Sequence, residues 1–295
     1  MFSRFFISNL VFACVALHGA HNKQEEMVTK RYKVVDFSSI ESNLAECFIN
    51  PEMSSSRVIV ITPKELIKSF SIKIVSGKLY LRMKKKNHSA LKKVFCIVGF
   101  AQQNMIELFG KCHYKFAPFE IPHFRVVARD HVKVSLKIDT QHLTIKGFDN
   151  AKITATNENR DKGKALLKKQ VIYLTNNAQY TANRLLSELL IAQTLDQSKI
   201  QFCSALNAQL HAFGKSEQHI CLLGTIKRKE TKLNCTTANQ AIIHAFGIVG
   251  TIASTQKNQG RLIQDKLSGW NEDPAQLSAF QNDSTDQKQI IFKNQ

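Results

Sequence analysis

The sequence predicts an all-β protein built as a parallel β-solenoid, a right-handed β-helix-like coil of short strands. Two patterns support this prediction. Apolar and polar residues alternate in many short runs, such as Arg57–Thr62 and Val132–Ile138, and a period of two is typical of half-buried strands. Apolar residues in the second half also recur at intervals of about 20 residues, as repeat architectures do. The first such series is Tyr180, Ile200, Ile220, Ile242 and Leu262.

Residues 1–20 have the pattern of a secretory signal peptide. Arg4 supplies a positive charge, an apolar stretch runs from Phe5 to Leu17, and small residues precede His21. This order of segments is typical of a signal peptide, and the stretch is shorter than the roughly 20 apolar residues of a membrane-spanning helix. We therefore expect an exported protein, located in the periplasm, on the outer membrane surface or outside the cell.

Residues 21–155 form the predicted N-terminal β-rich half. Short alternating runs follow one another there, including Phe70–Val75 and Lys78–Met83. Ser76-Gly77 lies between these two runs, and a two-residue link that contains glycine predicts a β-hairpin.

Residues 165–264 form the predicted C-terminal solenoid of repeats about 20 residues long. A second apolar series runs in step with the first: Leu190, Leu210, Leu233 and Ile252. Polar clusters precede the residues of the first series, and we interpret them as corners of a coil. Stacked coils would bury apolar strand faces and pair the strand edges. An antiparallel sandwich with evenly spaced strands is the alternative.

Three segments bound or interrupt this pattern. Asn183–Ala192 matches a short helix by spacing, but its place in the repeat favours a strand. The polar stretch 156–164 is either a linker between two subdomains or a loop within one continuous solenoid. Residues 265–295 lack sustained alternation, and we expect a polar tail or cap there.

Six cysteines would remain after the signal peptide is removed. An even number in an exported chain permits disulfides, with the pairing left open, and buried free thiols are the alternative. Since no Cys-x-x-Cys pair or compact histidine motif occurs, we expect no metal site and no cofactor. The six residues are Cys47, Cys96, Cys112, Cys203, Cys221 and Cys235.

The chain carries a formal net charge of +18, and its basic residues are mostly lysine. Lysine is a hydrated point charge, which suits diffuse attraction to anionic surfaces better than recognition of nucleic-acid bases. We expect an anionic glycan, lipopolysaccharide or a membrane surface as partner, and no nucleic acid. A lysine-rich surface that only keeps strand edges soluble is the alternative. The candidate binding residues are Lys84, Lys85, Lys86, Lys92, Lys93, Lys227, Arg228 and Lys229.

Several short motifs follow one another after the signal peptide. They are a Phe-x-x-Ile step at Phe37–Ile40, the strand Val58-Ile59-Val60, a Gly-Lys-Leu strand at Gly77-Lys78-Leu79, and a Leu-x-Ile-x-Gly step at Leu143–Gly147. In this order they resemble the head domain of the auto-transporter adhesin (GIN) family of exported bacterial proteins. The resemblance spans about residues 30–265. It implies a solenoid-like envelope protein with no assigned catalytic residues.

Together these patterns predict an exported, non-catalytic envelope protein that acts by surface or glycan contact. A β-solenoid polysaccharide lyase or glycoside hydrolase is one alternative, and it would need converging carboxylates. The acidic residues between Tyr180 and Leu262 fall at different positions of their repeats. A purely structural envelope module is the other alternative.

Overall fold

The strands of the protein form two stacks. The structure is a computed structural model, and it describes residues 25–84, 91–101, 103–157, 166–222, 232–247 and 251–265. The 22 strands in these ranges are hydrogen-bonded into one sheet, in which most pairs are parallel. This confirms the predicted all-β, parallel solenoid. The predicted signal peptide, and the tail beyond Asp265, lie outside the described residues.

Each turn of the coil contributes one strand to each stack. Stack A contains β2 (Ser39–Ser42), β6 (Lys78–Met83), β8 (Met105–Gly110), β11 (His123–Ala128), β13 (His142–Gly147), β15 (Leu166–Leu174), β19 (Lys232–Ala238) and β21 (Thr251–Lys257). Stack B contains β3 (Glu46–Asn50), β7 (Phe95–Ala101), β9 (His113–Phe116), β12 (Lys133–Asp139), β14 (Lys152–Thr156), β18 (Glu217–Leu222), β20 (Ile242–Gly247) and β22 (Arg261–Asp265). The long strands β16 (Gln179–Thr194) and β17 (Lys199–Ala212) begin in stack B and end in stack A.

Antiparallel strands close the N-terminal end of both stacks. In stack B, β1 (Met27–Lys33) pairs with β4 (Glu52–Pro63), and β4 pairs with β7. In stack A, β5 (Phe70–Val75) forms a hairpin with β6. Its turn is Ser76-Gly77, as predicted, and both residues have positive φ, at 50° and 72°, as two-residue hairpin turns favour. A 3₁₀ turn at Ile67–Ser69 and the short β10 (Phe119–Glu120) complete the elements.

One main apolar core fills the space between the stacks. Leu108 and Ile145 of stack A join Tyr114 and Ile153 of stack B in one cluster, and each is at most 2% exposed. Because alternate residues of a strand point to opposite faces, the remaining side chains of every strand form two broad outer faces. The function must therefore be sought on these faces and on the corners between them.

Both stacks continue across the composition break at 156–164. Strand β13 pairs with β15, and β14 pairs with β16, so strands on both sides of the break belong to the same stacks. The domain boundaries that the sequence suggests stay predictions.

The strand register corrects the two apolar series. Tyr180 lies beside Ile200, the next residue of the first series, but Ile200 lies beside Gln218 rather than Ile220. An irregularity in β17 between Ile200 and Cys203 shifts the register at this point. Gln218 in turn lies beside Ile243 instead of Ile242. A spacing near 20 residues therefore locates the strands, but it does not determine which residues lie side by side on neighbouring strands.

The second series is corrected in the same way. Leu190 lies beside Ala208, and Ala208 lies beside Leu233. Leu210 belongs to the next inward column, beside Cys235. Leu233 and Ile252, the last two residues of the series, lie beside each other on β19 and β21.

The segment Asn183–Ala192 is strand, as its place in the repeat predicted. Leu185 and Leu190 point into the core, at 1% and 0% exposure, whereas Leu186 and Leu189 lie half-buried on the outer face. This segment pairs with β15 on one side and with β17 on the other. Backbone pairing on both sides has overridden the helical spacing of its leucines.

A row of left-handed residues turns the chain from stack A to stack B at successive coils. We name it the turn ladder: Gly110, Asp130, Asp149, Asn176, Asp196, Gly214, Asn239 and Asn258, all with positive φ. Aspartate, asparagine and glycine are the residues that tolerate this backbone conformation best. Four of these residues, Asn176, Asp196, Asn239 and Asn258, lie in the polar clusters that the sequence predicts as corners.

Hydrogen bonds link neighbouring rungs of the turn ladder from Gly110 to Asp196, and Asn239 to Asn258. Asp196 is the clearest case, because its Oδ2 accepts from Thr175 Oγ1 at 2.7 Å and from the Asn176 backbone N–H at 3.1 Å. These two bonds hold the pKa of Asp196 below its ordinary value. One coil later, Gly214 is required: a Cβ there would lie 2.9 Å from the Asp196 carbonyl oxygen. The corners thus stack as closely as the strands.

We expect Asp196→Ala to lower the free energy of unfolding by about 1–2 kcal/mol. The change removes two hydrogen bonds and places alanine in the left-handed region. Asp196→Asn keeps an acceptor oxygen and tolerates this conformation, so it should lose less than half as much. Urea unfolding followed by circular dichroism measures both. Equal losses in the two variants would contradict the role given to the turn ladder.

Candidate functional site

Three of the eight basic residues predicted from the sequence lie in the described segments that flank β6 and β7. Lys84 follows β6 directly, and Lys92 and Lys93 precede β7; all three are exposed. Lys93 is already engaged in an ion pair with Glu25. The others lie outside the described residues, and a binding role for any of the eight stays a prediction. These five are Lys85, Lys86, Lys227, Arg228 and Lys229.

The outer face of stack B carries a different set of basic residues, placed in line by strand register. His113 lies beside Lys133, and Lys133 lies beside Lys152, on the consecutive strands β9, β12 and β14. Neighbouring strands are about 4.8 Å apart, so three side chains able to carry positive charge follow one another at that interval. We name His113, Lys133 and Lys152 the basic column.

One carboxylate neutralises the N-terminal end of the basic column. Glu46 Oε1 lies 2.7 Å from Lys115 Nζ and 3.8 Å from His113 Nδ1. His113 Nε2 is also 2.8 Å from Ser135 Oγ. Burial, followed by the charges of Lys115 and Lys133, lowers the pKa of His113, and Glu46 opposes this shift only in part. His113 is therefore mostly neutral at pH 7.

Lys133 and Lys152 have no carboxylate partner among the described residues. Further along the same register, Lys199 forms an ion pair with Glu217, with Nζ and Oε2 2.9 Å apart. The chain thus supplies carboxylate partners to Lys115 and Lys199 of this face and leaves the adjacent Lys133 and Lys152 without one in the described ranges. Like charges directly opposite each other destabilise a sheet. An anion bound at Lys133 and Lys152 would offset that repulsion.

A shallow polar depression adjoins the basic column. It has a volume of about 220 Å³ and is lined by Lys152, Ile153, Thr154, Gln179, Thr181 and Gln201. Thr181 Oγ1 donates to Gln201 Oε1 at 2.8 Å, and Gln201 Nε2 donates to Gln179 Oε1 at 3.4 Å. Hydroxyl and amide groups in a row next to lysines can contact both the anionic groups and the hydroxyls of a sugar chain.

The basic column does not form a contiguous basic cluster in the sequence, so the candidate binding residues named from the sequence do not include it. His113, Lys133 and Lys152 are separated by 20 and 19 residues, which is the period of the apolar repeats. The same periodicity, applied to charged residues as well as apolar ones, would have found them. Their in-line placement exists only because the coils stack in register.

Two of the six cysteines, Cys203 and Cys221, are poor candidates for a reactive site. All six are buried free thiols, and a disulfide among them stays a prediction. Burial raises the pKa of Cys203 to about 12 and that of Cys221 to about 11. Such thiols carry almost no thiolate at pH 7, which makes them poor nucleophiles. In the described ranges, no three His, Cys, Asp or Glu side chains are placed to hold a metal ion.

Solved structures with the same fold come from Parabacteroides and Bacteroides species. A "putative adhesin" of Parabacteroides merdae has a TM-score of 0.63 at 12% identity, covering 82% of this chain and 98% of its own. A "putative lipid binding protein" of Parabacteroides distasonis gives the same values. A "putative adhesin" of Bacteroides fragilis has a TM-score of 0.51 at 12% identity, covering 84% of this chain and 100% of its own. The likeness to adhesin-type proteins suggested by the motifs is thus found in the fold.

No protein-family model matches the chain, and neither does any curated protein. In the part of the chain that the structure describes, no α-helix reaches the length and hydropathy needed to cross a bilayer.

Two stacked histidines lie on the outer face of stack B, on β18 and β20, and they affect how the free energy of unfolding depends on pH. The rings of His219 and His244 lie 4.5 Å apart, nearly parallel. Burial, then His244 and Lys199, lower the pKa of His219 below its ordinary value of 6.5, while Glu217 opposes the shift. The unfolded chain therefore binds a proton here at a higher pH than the folded chain does. The contribution of His219 to folding stability therefore falls as the pH falls through 6.5.

We expect His219→Gln to make the free energy of unfolding less dependent on pH between about 7.5 and 5.5. The slope should decrease without vanishing, because His113 and His142 also have lowered pKa values. Urea unfolding at both pH values measures the change. His131→Gln, an exposed histidine in a turn, is the control and should keep the wild-type slope. An unchanged slope in His219→Gln would contradict the assignment.

Proposed function

We propose that the protein is an exported, adhesin-type envelope protein without catalytic activity, which binds anionic polysaccharide through the outer face of stack B. The observation that carries this proposal is the pair of register-aligned lysines, Lys133 and Lys152, without carboxylate partners in the described chain. A polar depression adjoins Lys152. Export is supported by the signal-peptide pattern of residues 1–20.

Polysaccharide fits the chemistry of this surface. The basic column presents positive charge along the solenoid axis, and the depression beside Lys152 presents hydroxyl and amide groups. An anionic sugar chain offers both charged groups and hydroxyls at repeated intervals. The fold shared with proteins described as "putative adhesin" supports the same role.

A glycan-cleaving enzyme is less consistent with this face. Glycoside hydrolases place two carboxyl groups roughly 5–9.5 Å apart. Glu46 on β3 and Glu217 on β18 are six strand steps apart, or roughly 29 Å. Glu46 and Glu217 are also engaged with Lys115 and Lys199. Glu120 and Asp139 are register partners, but they lie at the far end of β12, six residues along the strand from Lys133. At Lys133 and Lys152 the geometry therefore favours binding over cleavage.

Retention on dextran sulfate, compared with uncharged dextran, tests the proposal. We expect wild-type protein to bind dextran sulfate at low ionic strength, and to be released as salt screens the exposed lysines. The double variant Lys133→Gln/Lys152→Gln should bind about tenfold more weakly, because two charges that face the ligand are lost.

The control variant Lys73→Gln/Lys257→Gln removes the same charge from exposed positions on β5 and β21. It should bind nearly as well as wild type. Equal weakening in the two double variants would show that net charge alone drives retention, and it would overturn the proposed site. Equal retention of wild-type protein on uncharged dextran would do the same.

A further inference from the structure

The outer face of stack A differs from that of stack B by a patch of apolar side chains. Val171 on β15 lies beside Ile191 on β16, and Leu189 points outward two residues earlier in the same strand. These side chains are half-buried. We name the set the apolar row: Val171, Tyr173, Leu189 and Ile191. Leu166, which is 39% exposed, pairs with Leu186 in the preceding segment, which is in register with β18 of stack B.

Basic residues flank the apolar row. Lys168 and Lys169 lie within β15, and Lys146 on β13 lies beside Tyr173. Arg125 on β11 and Arg129 directly after it extend this basic margin towards the N-terminal end. The Arg129 guanidinium lies 4.1 Å above the Phe148 ring, and Phe148 contacts Tyr173 with ring centroids 5.9 Å apart. The apolar row thus has basic residues on its own strand and on the two strands before it.

Acidic side chains are nearly absent from this surface. Strands β11, β13, β15, β16 and β17 contain one acidic residue between them, Glu188. Face-to-face pairing with a second copy would bring these cations against each other, which opposes self-association here. The charge of the patch fits an anionic partner instead.

We propose that the outer face of stack A docks on the surface of an anionic phospholipid bilayer. Aliphatic side chains between lysines and arginines suit a lipid interface, where the apolar groups enter the headgroup region and the cations meet phosphates. Tyr173 adds an aromatic ring with a polar end, a combination found at such interfaces. A hydrated polysaccharide would gain little from the apolar row.

This docking leaves the outer face of stack B free. The two stacks face each other across the core, so their outer faces point in opposite directions. A chain held on a membrane by stack A would present the basic column away from it. The membrane surface is thus a second partner, independent of the polysaccharide proposed for stack B.

Flotation with lipid vesicles tests the inference. Wild-type protein should float with phosphatidylcholine vesicles that contain phosphatidylglycerol, and should not float with phosphatidylcholine alone. The variant Leu189→Ser/Ile191→Ser should bind the anionic vesicles about tenfold more weakly, because two aliphatic side chains no longer enter the interface. Lys168→Gln/Lys169→Gln should weaken binding and lower its dependence on salt.

Three controls make the test selective. Val75→Ser removes an apolar side chain that is 42% exposed on β5, and it should bind as wild type does. Lys133→Gln/Lys152→Gln should also keep its binding to vesicles while its binding to dextran sulfate weakens. Circular dichroism and the urea midpoint establish that each variant is folded before its binding is compared.

Three results would overturn the inference. The first is no flotation of wild-type protein at low salt. The second is wild-type binding by Leu189→Ser/Ile191→Ser, which would leave charge attraction as the whole cause. The third is a wild-type dimer in solution that this variant converts to monomer, which would assign the apolar row to a second copy. None of these results alters the dextran sulfate assay, so the two proposals fail separately.

Discussion

The structure depends on hydrogen bonding between successive coils in a fixed parallel register. A coil of two short strands cannot bury its apolar faces or pair its backbone alone, and stacking supplies both. The turn ladder sets the register at the corners, because residues such as Asp149 and Asp196 adopt the left-handed conformation and bond to the neighbouring rung. Once the corners are aligned, every strand position acquires a neighbour in the next coil. The apolar core and the two outer faces follow from that alignment.

The register also brings residues that recur along the sequence together on the surface. Residues that are 19 or 20 positions apart become neighbours, so Lys133 and Lys152 lie side by side although they are distant in sequence. The basic column arises in this way on stack B, and the apolar row arises likewise on stack A from the paired strands β15 and β16. Both faces are basic, but one is hydrophilic and the other is partly apolar. The same scaffold therefore offers two chemically different contact surfaces on opposite sides.

Much of the fold could be predicted from the sequence, because period-two alternation and repeat spacing report backbone geometry directly. The hairpin at Ser76-Gly77 and the strand at Asn183–Ala192 are examples. Column membership could not be predicted, since the irregularity in β17 moves Gln218 into the place expected for Ile220. The candidate site was missed for a related reason: Lys133 and Lys152 are distant in sequence and adjacent only after coiling. Contiguous clusters such as Lys227-Arg228-Lys229 are visible in the sequence itself, so they became the predicted binding residues.

A double-mutant cycle between Lys133 and Lys152 tests the central claim, that coil register places these like charges side by side. The free energy of unfolding is measured for wild type, Lys133→Gln, Lys152→Gln and the double variant, at low and high salt. We expect a repulsive coupling of about 0.2–1 kcal/mol at low salt that decreases when salt screens it. The pair Lys133 and Lys199, three strands apart, should show almost none. A coupling of zero between Lys133 and Lys152 at low salt, or an attractive one, would contradict the account.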